Sequence, residues 1–265
     1  MFELENRVFI VTGGSRGIGK TTAQLLCERG AKVCITGRCE EALDQAKDDL
    51  RAYGSRVITL KQDVADAGSW GPIFGATTEA FGAVHGLVNN AGMHQIMALE
   101  CTSEEDFDRI MAANAKSVYF GTKAAFEYLP QFVSDEYPGA VVTVSSVAGL
   151  RGTSFQSAYS MSKGAAQVFS LAAAREAIDR KLPIRVNTVN PGMVDTDMGA
   201  ELAEALVENE LAKNIDHAKK GLVKSYMGRR FSTPAEVAHS ICYLLSNSAS
   251  HITGSSVSID GGLSA

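Results

Sequence analysis

Three residues of the chain have types and a spacing that suit proton transfer: Ser146, Tyr159 and Lys163. Tyr159 and Lys163 are four positions apart, which places both side chains on one face of a helix. A lysine ammonium beside a tyrosine favours the phenolate and is expected to lower the phenol pKa from about 10. Such a tyrosine can donate a proton to a carbonyl or accept one from an alcohol, and a serine hydroxyl can bind the same oxygen. The pattern predicts interconversion of C=O and CH–OH groups, which also requires a hydride carrier.

The spacing alone is weak evidence, because Tyr119 and Lys123 repeat it in the same chain. The residue thirteen positions before each tyrosine distinguishes the two pairs. Before Tyr159 it is Ser146, which ends an apolar, β-branched run, whereas before Tyr119 it is Asp106, in an acidic helix start. The alternative for either pair is a solvated helix face. Ser146 could likewise only cap the turn after its strand.

A glycine-rich turn lies between the first predicted strand, 7–12, and a helical stretch at 20–29. Glycines at 13, 17 and 19 permit a tight turn and let a pyrophosphate approach the backbone. The helix N-terminus adds free N–H groups and a positive dipole end. This order predicts a dinucleotide site, and the alternative is a plain flexible loop.

Five motifs in chain order resemble those of the short-chain dehydrogenase/reductase family in its single-domain form. The resemblance runs from about Asn6 to Gly262, and five ordered motifs are far more specific than one. They are Thr12-Gly13-x-x-x-Gly17-x-Gly19, Asn89-Asn90-Ala91-Gly92, Asn114, the set Ser146, Tyr159 and Lys163, and Pro191-Gly192 followed by Thr196.

The resemblance implies a role for each catalytic residue. Tyr159 would be the general acid/base, and Lys163 would lower its pKa and bind the nicotinamide ribose. Ser146 would orient the substrate oxygen. Asn114 would hold a water that links Lys163 to solvent, although it could merely cap or kink its helix. The expected cofactor contacts are Gly13, Ser15, Arg16, Gly17, Ile18, Gly19, Arg38, Asp63, Val64, Asn90, Ala91, Gly92, Tyr159, Lys163, Pro191, Gly192, Val194 and Thr196.

The end of the second predicted strand, 32–36, indicates which nicotinamide cofactor is used. In this fold an acidic residue there binds the ribose hydroxyls of NAD, but Gly37 and Arg38 follow this strand. Arg38 and Arg16 could hold a 2′-phosphate between two guanidinium groups. We therefore expect NADP(H) to be preferred, with NAD(H) possible; the alternative is that both arginines are solvated surface residues.

Strands alternate with helical patterns along the whole chain, which predicts an α/β fold. We expect a Rossmann-like, doubly wound parallel sheet of about seven strands with helices on both faces, forming a single domain over residues 1–265. Ligands of such sheets bind at the carboxyl ends of the strands, and the glycine-rich turn, Asn89 to Gly92, Ser146 and Pro191-Gly192 all follow strands at that edge. The predicted strands are 7–12, 32–36, 56–61, 84–89, 140–145, 184–189 and 255–259.

The segment 197–230 is the least regular part of the sequence, and the resemblance implies a lid over the substrate there. Residues that could line an apolar substrate pocket flank this segment and the catalytic strand ends, although ordinary packing would explain each of them as well. They are His94, Phe155, Gln156, Met193, Met198 and Leu202.

The composition limits the kinds of partner and the cellular compartment that we expect for the protein. The net charge of −5 without basic clusters argues against nucleic acid, and no apolar run suits a membrane span. No His, Cys or carboxylate cluster has metal-ligand spacing. Five cysteines without a Cys-x-x-Cys, and a first strand close to Met1 that leaves no room for a signal peptide, predict a cytoplasmic protein. The helical stretches 103–129 and 157–181 resemble faces by which family members associate, so we expect a homotetramer or a homodimer.

The leading prediction is an oxidoreductase that reversibly reduces a ketone or aldehyde with NADPH, with a small-molecule substrate. A 3-oxoacyl carrier-protein reductase is an alternative: Arg180 lies where a docking residue would fall, but Tyr137 replaces an expected arginine and Asp135 and Glu136 would repel an acidic carrier. Hydroxysteroid and sugar-alcohol substrates remain open. A nucleotide-sensing regulator without catalysis is the non-enzyme alternative, which the intact set of catalytic residues disfavours.

Overall fold

A computed structural model describes residues 4–224 and 226–265 of the chain. Its centre is one parallel sheet with the strand order β3-β2-β1-β4-β5-β6-β7, in which the order reverses between β1 and β4. This confirms the predicted fold class. The strands are β1 (Val8–Thr12), β2 (Lys32–Gly37), β3 (Val57–Lys61), β4 (Gly86–Asn89), β5 (Gly139–Val144), β6 (Ile184–Pro191) and β7 (Ser256–Ile259).

The inner strands are buried on both faces, as parallel sheets require. Every residue of β1, β4, β5 and β6 is buried, and these strands consist largely of β-branched and other apolar residues. β6 extends to Pro191, two residues beyond its predicted end, because its last residues still pair with β7. This extension carries the Pro191-Gly192 motif to the carboxyl edge of the sheet.

Helices cover the two faces of the sheet. One core cluster joins α1, α2 and α9 to the sheet, and the other joins α3, α5 and α6 to it. The α-helices of the described residues are α1 (Gly17–Glu28), α2 (Glu40–Asp49), α3 (Trp70–Phe81), α4 (Glu104–Met111), α5 (Ser117–Tyr128), α6 (Ser157–Asp179), α7 (Asp197–Glu208), α8 (Ile215–Leu222) and α9 (Pro234–Leu245).

The predicted helical stretch 103–129 is divided into α4 and α5 by a π-helical turn, Ala112–Lys116. Such turns interrupt the regular helical hydrogen bonds and frequently occur at functional sites. Asn114 lies at the centre of this turn and is fully buried. The sequence pattern did not reveal this interruption, because the apolar spacing continues through it.

The segment 197–230 contains α7 and α8, which pack against each other beyond the carboxyl edge. Residue 225 of this predicted lid lies outside the described residues. α7 begins with Thr196, whose side chain accepts a hydrogen bond from Gly199 N at 3.3 Å. Among residues 4–224 and 226–265, no helix combines the length and apolar character needed to cross a bilayer.

Candidate active site

The side chains of Ser146, Tyr159 and Lys163 meet at the carboxyl end of β5, and we call them the Ser–Tyr–Lys cluster. Ser146 follows the last residues of β5 and caps a short 3₁₀ turn, with its Oγ accepting from Ala148 N at 3.2 Å. Tyr159 and Lys163 lie in the first two turns of α6, both buried. The Lys163 ammonium donates to the Val144 carbonyl at 3.0 Å and lies 5.9 Å from the centre of the Tyr159 ring.

The pKa of Tyr159 differs from the sequence-based expectation. Burial raises the Tyr159 pKa, and hydrogen bonding with Ser146 only partly opposes this shift. Burial also lowers the pKa of Lys163 to about 8. The expected lowering of the Tyr159 pKa is therefore not seen in this structure, because the loss of solvent around the phenol outweighs the opposing effect of Ser146.

The second Tyr-x-x-x-Lys pair lies in a different environment. The Tyr119 side chain is 49% exposed, and Lys123 pairs with Glu127 at 3.9 Å on the surface of α5. The solvated-face alternative therefore describes this pair. The same spacing gives a buried cluster only where a strand end and its following turn cover the helix.

Asn114 joins α4 and α5 to the loop after β4. Its Oδ1 accepts from Met93 N at 2.8 Å, and its Nδ2 donates to Met93 O at 2.9 Å and to Ser162 Oγ at 3.0 Å. A Cβ on Gly92 would lie 2.8 Å from this Oδ1 and 3.3 Å from Lys163 Nζ. From within the π-helical turn, the Asn114 side chain therefore clamps the loop beside the Ser–Tyr–Lys cluster.

The glycine-rich turn fits a dinucleotide. A Cβ on Gly19 would lie 2.4 Å from the Gly13 carbonyl oxygen and 2.5 Å from Asn90 Nδ2, so only glycine permits this tight approach. Thr12 ties the turn to the loop after β4, because its Oγ1 accepts from Asn90 N and Ala91 N, each at 3.0 Å. The N-terminus of α1 starts at Gly17, where it can receive a phosphate.

The two arginines expected at the 2′-phosphate differ in their surroundings. Arg38 is exposed and, among the described residues, its guanidinium has no ion-pair or hydrogen-bond partner. Arg16 instead lies near two carboxylates of α7, with Nη1 3.7 Å from Asp197 and 3.8 Å from Glu201. Sequence reasoning missed these acidic neighbours, because they are distant in the chain and approach only when α7 folds over the glycine-rich turn.

The remaining predicted cofactor residues lie along the same edge. Asp63 Oδ1 accepts from Ala65 N at 2.9 Å, and the Val64 carbonyl accepts from the Trp70 indole at 3.2 Å. Gly192 N donates to Ile259 O at 3.0 Å, which secures the Pro191-Gly192 turn. Ser15 lies beside Gly37, Ile18 packs against the core, Val194 is buried and Thr196 lies next to Gly17.

Three of the predicted pocket residues surround Tyr159. The His94 ring lies 4.6 Å from the Tyr159 ring at an angle of 72°, edge to face. Phe155 and Gln156 line a cavity of about 10 Å³ next to Tyr159. Sequence reasoning missed other members of this wall, because their spacing carries no catalytic pattern; they are Gln95, Met97, Thr102, Ile110, Ser157 and Ala158.

The other predicted pocket residues lie in α7 or just before it. Leu202 is buried, and Met193 and Met198 are half-buried. The Tyr226 hydroxyl, which sequence reasoning also missed, accepts from Met193 N at 3.0 Å. A Cβ on Gly192 would lie 2.7 Å from the Tyr226 ring, so this tyrosine covers the turn after β6.

Curated relatives match the chain over nearly its full length. A cyclopentanol dehydrogenase from Comamonas sp. is 32% identical over 100% of both chains. The NADP-dependent (R)-specific alcohol dehydrogenase of Lentilactobacillus kefiri is 33% identical over 99% of this chain and 98% of its own. A 3-oxoacyl-[acyl-carrier-protein] reductase from Chlamydia muridarum is 36% identical over 98% of both.

The family model of the short chain dehydrogenases matches residues 7–206. The crystal structure of levodione reductase superposes with a TM-score of 0.89 at 29% identity and covers 98% of both chains. The chain belongs to the short-chain dehydrogenase family. It is an NAD(P)-dependent oxidoreductase that acts on alcohol and carbonyl groups, so the regulator alternative is set aside.

Proposed function

We propose that the protein reversibly reduces a ketone or aldehyde to an alcohol with NADPH, and that Tyr159 is the general acid/base. The observation that carries this proposal is the buried Ser–Tyr–Lys cluster, which lies at the same sheet edge as the glycine-rich turn. The alcohol dehydrogenases among the relatives support the same reaction class.

The residues of the cluster divide the work of proton transfer. A bound nicotinamide cofactor supplies the hydride. Tyr159 donates its proton to the carbonyl oxygen in reduction and accepts it in alcohol oxidation, while Ser146 orients that oxygen. Lys163, charged below a pKa of about 8, stabilises the phenolate that remains after proton transfer and binds the nicotinamide ribose. Because burial raises the Tyr159 pKa, the acid form predominates at neutral pH and favours reduction.

Asn114 and the glycine-rich turn hold the reactants in place. The Asn114 amide is engaged by Met93 and Ser162, so its side chain positions the loop around Gly92 beside Lys163. Backbone N–H groups at the start of α1 would bind the pyrophosphate. The expected water relay from Lys163 to solvent remains part of the proposal.

Replacing Tyr159 tests this assignment directly. Tyr159→Phe keeps the ring and its contact with His94 but removes the proton donor, and general acid catalysis contributes about 10²–10⁴-fold. We expect NADPH oxidation with ketones, steroids and sugars to fall by that factor, with NADPH binding retained. Tyr119→Phe, in the exposed second Tyr-x-x-x-Lys pair, is the control and should leave turnover nearly unchanged. More than about a tenth of wild-type turnover in Tyr159→Phe would refute the role.

We propose that the protein prefers NADP(H) and that Arg38 is the main residue that binds the 2′-phosphate. Its exposed guanidinium follows β2, at the position where NAD-binding chains of this fold carry a carboxylate. Arg16 would have to leave Asp197 and Glu201 to contribute, so its share is smaller. The NADP-dependent relative supports this preference, and NAD(H) remains a usable alternative.

A 3-oxoacyl carrier-protein reductase is a second candidate, favoured by the Chlamydia muridarum relative. The charges on the surface where a carrier protein would dock do not favour this candidate. Arg180 is engaged with Glu176 at 2.8 Å, and the exposed Tyr137 stands beside the exposed acids Asp135 and Glu136. Turnover of a 3-oxoacyl thioester on its carrier protein, compared with the free thioester, distinguishes this candidate.

The chain is further proposed to act as a single domain, 1–265, with the lid 197–230 over the substrate, and to assemble as a homotetramer or a homodimer. Large apolar side chains exposed on α5 and α6 support association by these helices. All five cysteines lie in the described residues as free thiols, which accords with the cytoplasmic location expected from the sequence. The exposed apolar residues are Tyr119, Met161, Val168, Leu171 and Ile178.

A further inference from the structure

Two buried polar atoms beside Tyr159 have no hydrogen-bond partner among the described residues. They are His94 Nε2 and Gln95 Oε1, on adjacent residues of the loop after β4. A buried polar atom left without a partner destabilises the folded state, so native proteins rarely leave two together without a reason. Because both atoms lie beside Tyr159, where the carbonyl of the substrate must bind, they are candidates for substrate recognition.

Both residues are fixed next to the reacting group. The His94 ring contacts the Tyr159 ring edge to face at 4.6 Å, and Gln95 lines the cavity that Tyr159 also lines. Burial lowers the His94 pKa, hydrogen bonding with Gln156 opposes this shift, and the net result is a neutral imidazole at pH 7. A neutral imidazole nitrogen can donate or accept a hydrogen bond.

Phe155, which also lines the cavity, is strained. Phe155 has φ of +61°, which is costly for a bulky side chain, and its carbonyl accepts from Met97 N at 2.8 Å. This bond ties the loop of His94 and Gln95 to the start of α6. The cavity of about 10 Å³ has room for one water-sized group.

We propose that His94 and Gln95 form a polar subsite for a second oxygen of the substrate, one or two carbons from the reacting carbonyl. The proposal rests on the carbonyl reduction argued above and names its substrate class: hydroxy ketones and the corresponding diols. Gln95 Oε1 needs a donor, and His94 Nε2 can accept or donate. A hydroxyl can satisfy both atoms, whereas the second carbonyl of a diketone can satisfy only His94.

The subsite predicts an order of substrates that a matched panel can measure. With NADPH, kcat/KM should be higher for 2-hydroxycyclohexanone than for cyclohexanone. Sites that hydrogen-bond a substrate hydroxyl discriminate strongly against analogues that lack it, and we expect about 10- to 100-fold between the two ketones. His94→Phe retains an aromatic edge against Tyr159, and Gln95→Leu retains the approximate volume.

Each variant should lower the ratio of kcat/KM for the hydroxy ketone to kcat/KM for cyclohexanone by about 10-fold or more. His239→Phe, on the exposed face of α9, is the matched control and should not change this ratio. A wild-type enzyme without preference for the hydroxy ketone would overturn the proposal. So would an equal loss on both ketones in His94→Phe, which would instead make His94 a positioning residue for Tyr159.

A binding measurement separates this subsite from the proposed reaction. Titration calorimetry of the protein with NADPH and an alcohol gives a complex that cannot react. Cyclohexane-1,2-diol should bind about 10-fold more tightly than cyclohexanol, and His94→Phe should abolish the difference. If no ketone is turned over but the diol preference persists, the proposed reaction fails and the subsite stands. If ketones are reduced but the diol has no advantage, the subsite fails alone.

Discussion

The charge of Lys163 can be measured through its effect on folding. Moving the pKa of this lysine from 10.5 to about 8 costs its charged form about 3 kcal/mol, since one pKa unit corresponds to about 1.4 kcal/mol. The folded protein therefore holds fewer protons than the unfolded chain between these two values. Stability then rises with pH from about 8 to 10.5, by up to about 3 kcal/mol from this residue alone.

Lys163→Met removes this dependence while keeping most of the side-chain volume. At pH 7 the variant loses the donor to the Val144 carbonyl, a cost of about 1–3 kcal/mol that roughly offsets the relief of not burying a charge. We therefore expect similar stability at pH 7 and a wild-type advantage that grows by about 3 kcal/mol toward pH 10.5. Reduction of a ketone should be nearly lost, because the phenolate of Tyr159 is no longer stabilised.

Urea unfolding at a series of pH values from 7 to 10.5 measures the free energy of unfolding of the wild type and of Lys163→Met. The difference between the two proteins removes the contribution of other groups that titrate in this range. Lys123→Met is the control, since Lys123 has the same spacing from a tyrosine but lies exposed beside Glu127. The pH dependence of the difference for Lys163→Met is compared with that for this control. A dependence no greater for Lys163→Met than for Lys123→Met would refute the argument that burial holds the pKa of Lys163 near 8.

Four further outcomes can be checked. Arg38→Ala should lower kcat/KM with NADPH by about 10- to 100-fold and that with NADH much less, because a charge-assisted hydrogen bond contributes about 1.5–3 kcal/mol; equal losses would contradict the role. Gly37→Asp should reverse the preference, and it is sterically permitted because a Cβ there would lie 3.4 Å from Leu43 Cδ2. Alcohol oxidation should speed up as pH rises above 7, since burial raises the pKa of Tyr159 and its base form appears late; a falling profile would argue against that base. Sedimentation should show a tetramer or a dimer, and Val168→Glu on the exposed face of α6 should dissociate it; a 28.1 kDa wild-type species at micromolar concentration would exclude association.

Local pattern was sufficient for the elements that position the site. Alternating apolar strands and helices predicted the parallel sheet, and a complete capping box of Thr233 and Glu236 defines the start of α9. Both depend on neighbouring residues in the chain. The π-helical turn at Asn114 was not predictable in this way, because the partners of that amide, Met93 and Ser162, are distant in the chain.

By itself, the sequence determined the sheet, the order of its strands along the chain and the placement of the glycine-rich turn and the Ser–Tyr–Lys cluster after strand ends. It determined these because apolar period, turn chemistry and motif order are properties of short segments. Only the tertiary structure decided the electrostatics: the raised pKa of Tyr159, the carboxylates beside Arg16 and the unpartnered nitrogen of His94. The loss of solvent and the long-range contacts of a residue depend on every element that packs around it. They therefore cannot be predicted from any one segment of the sequence.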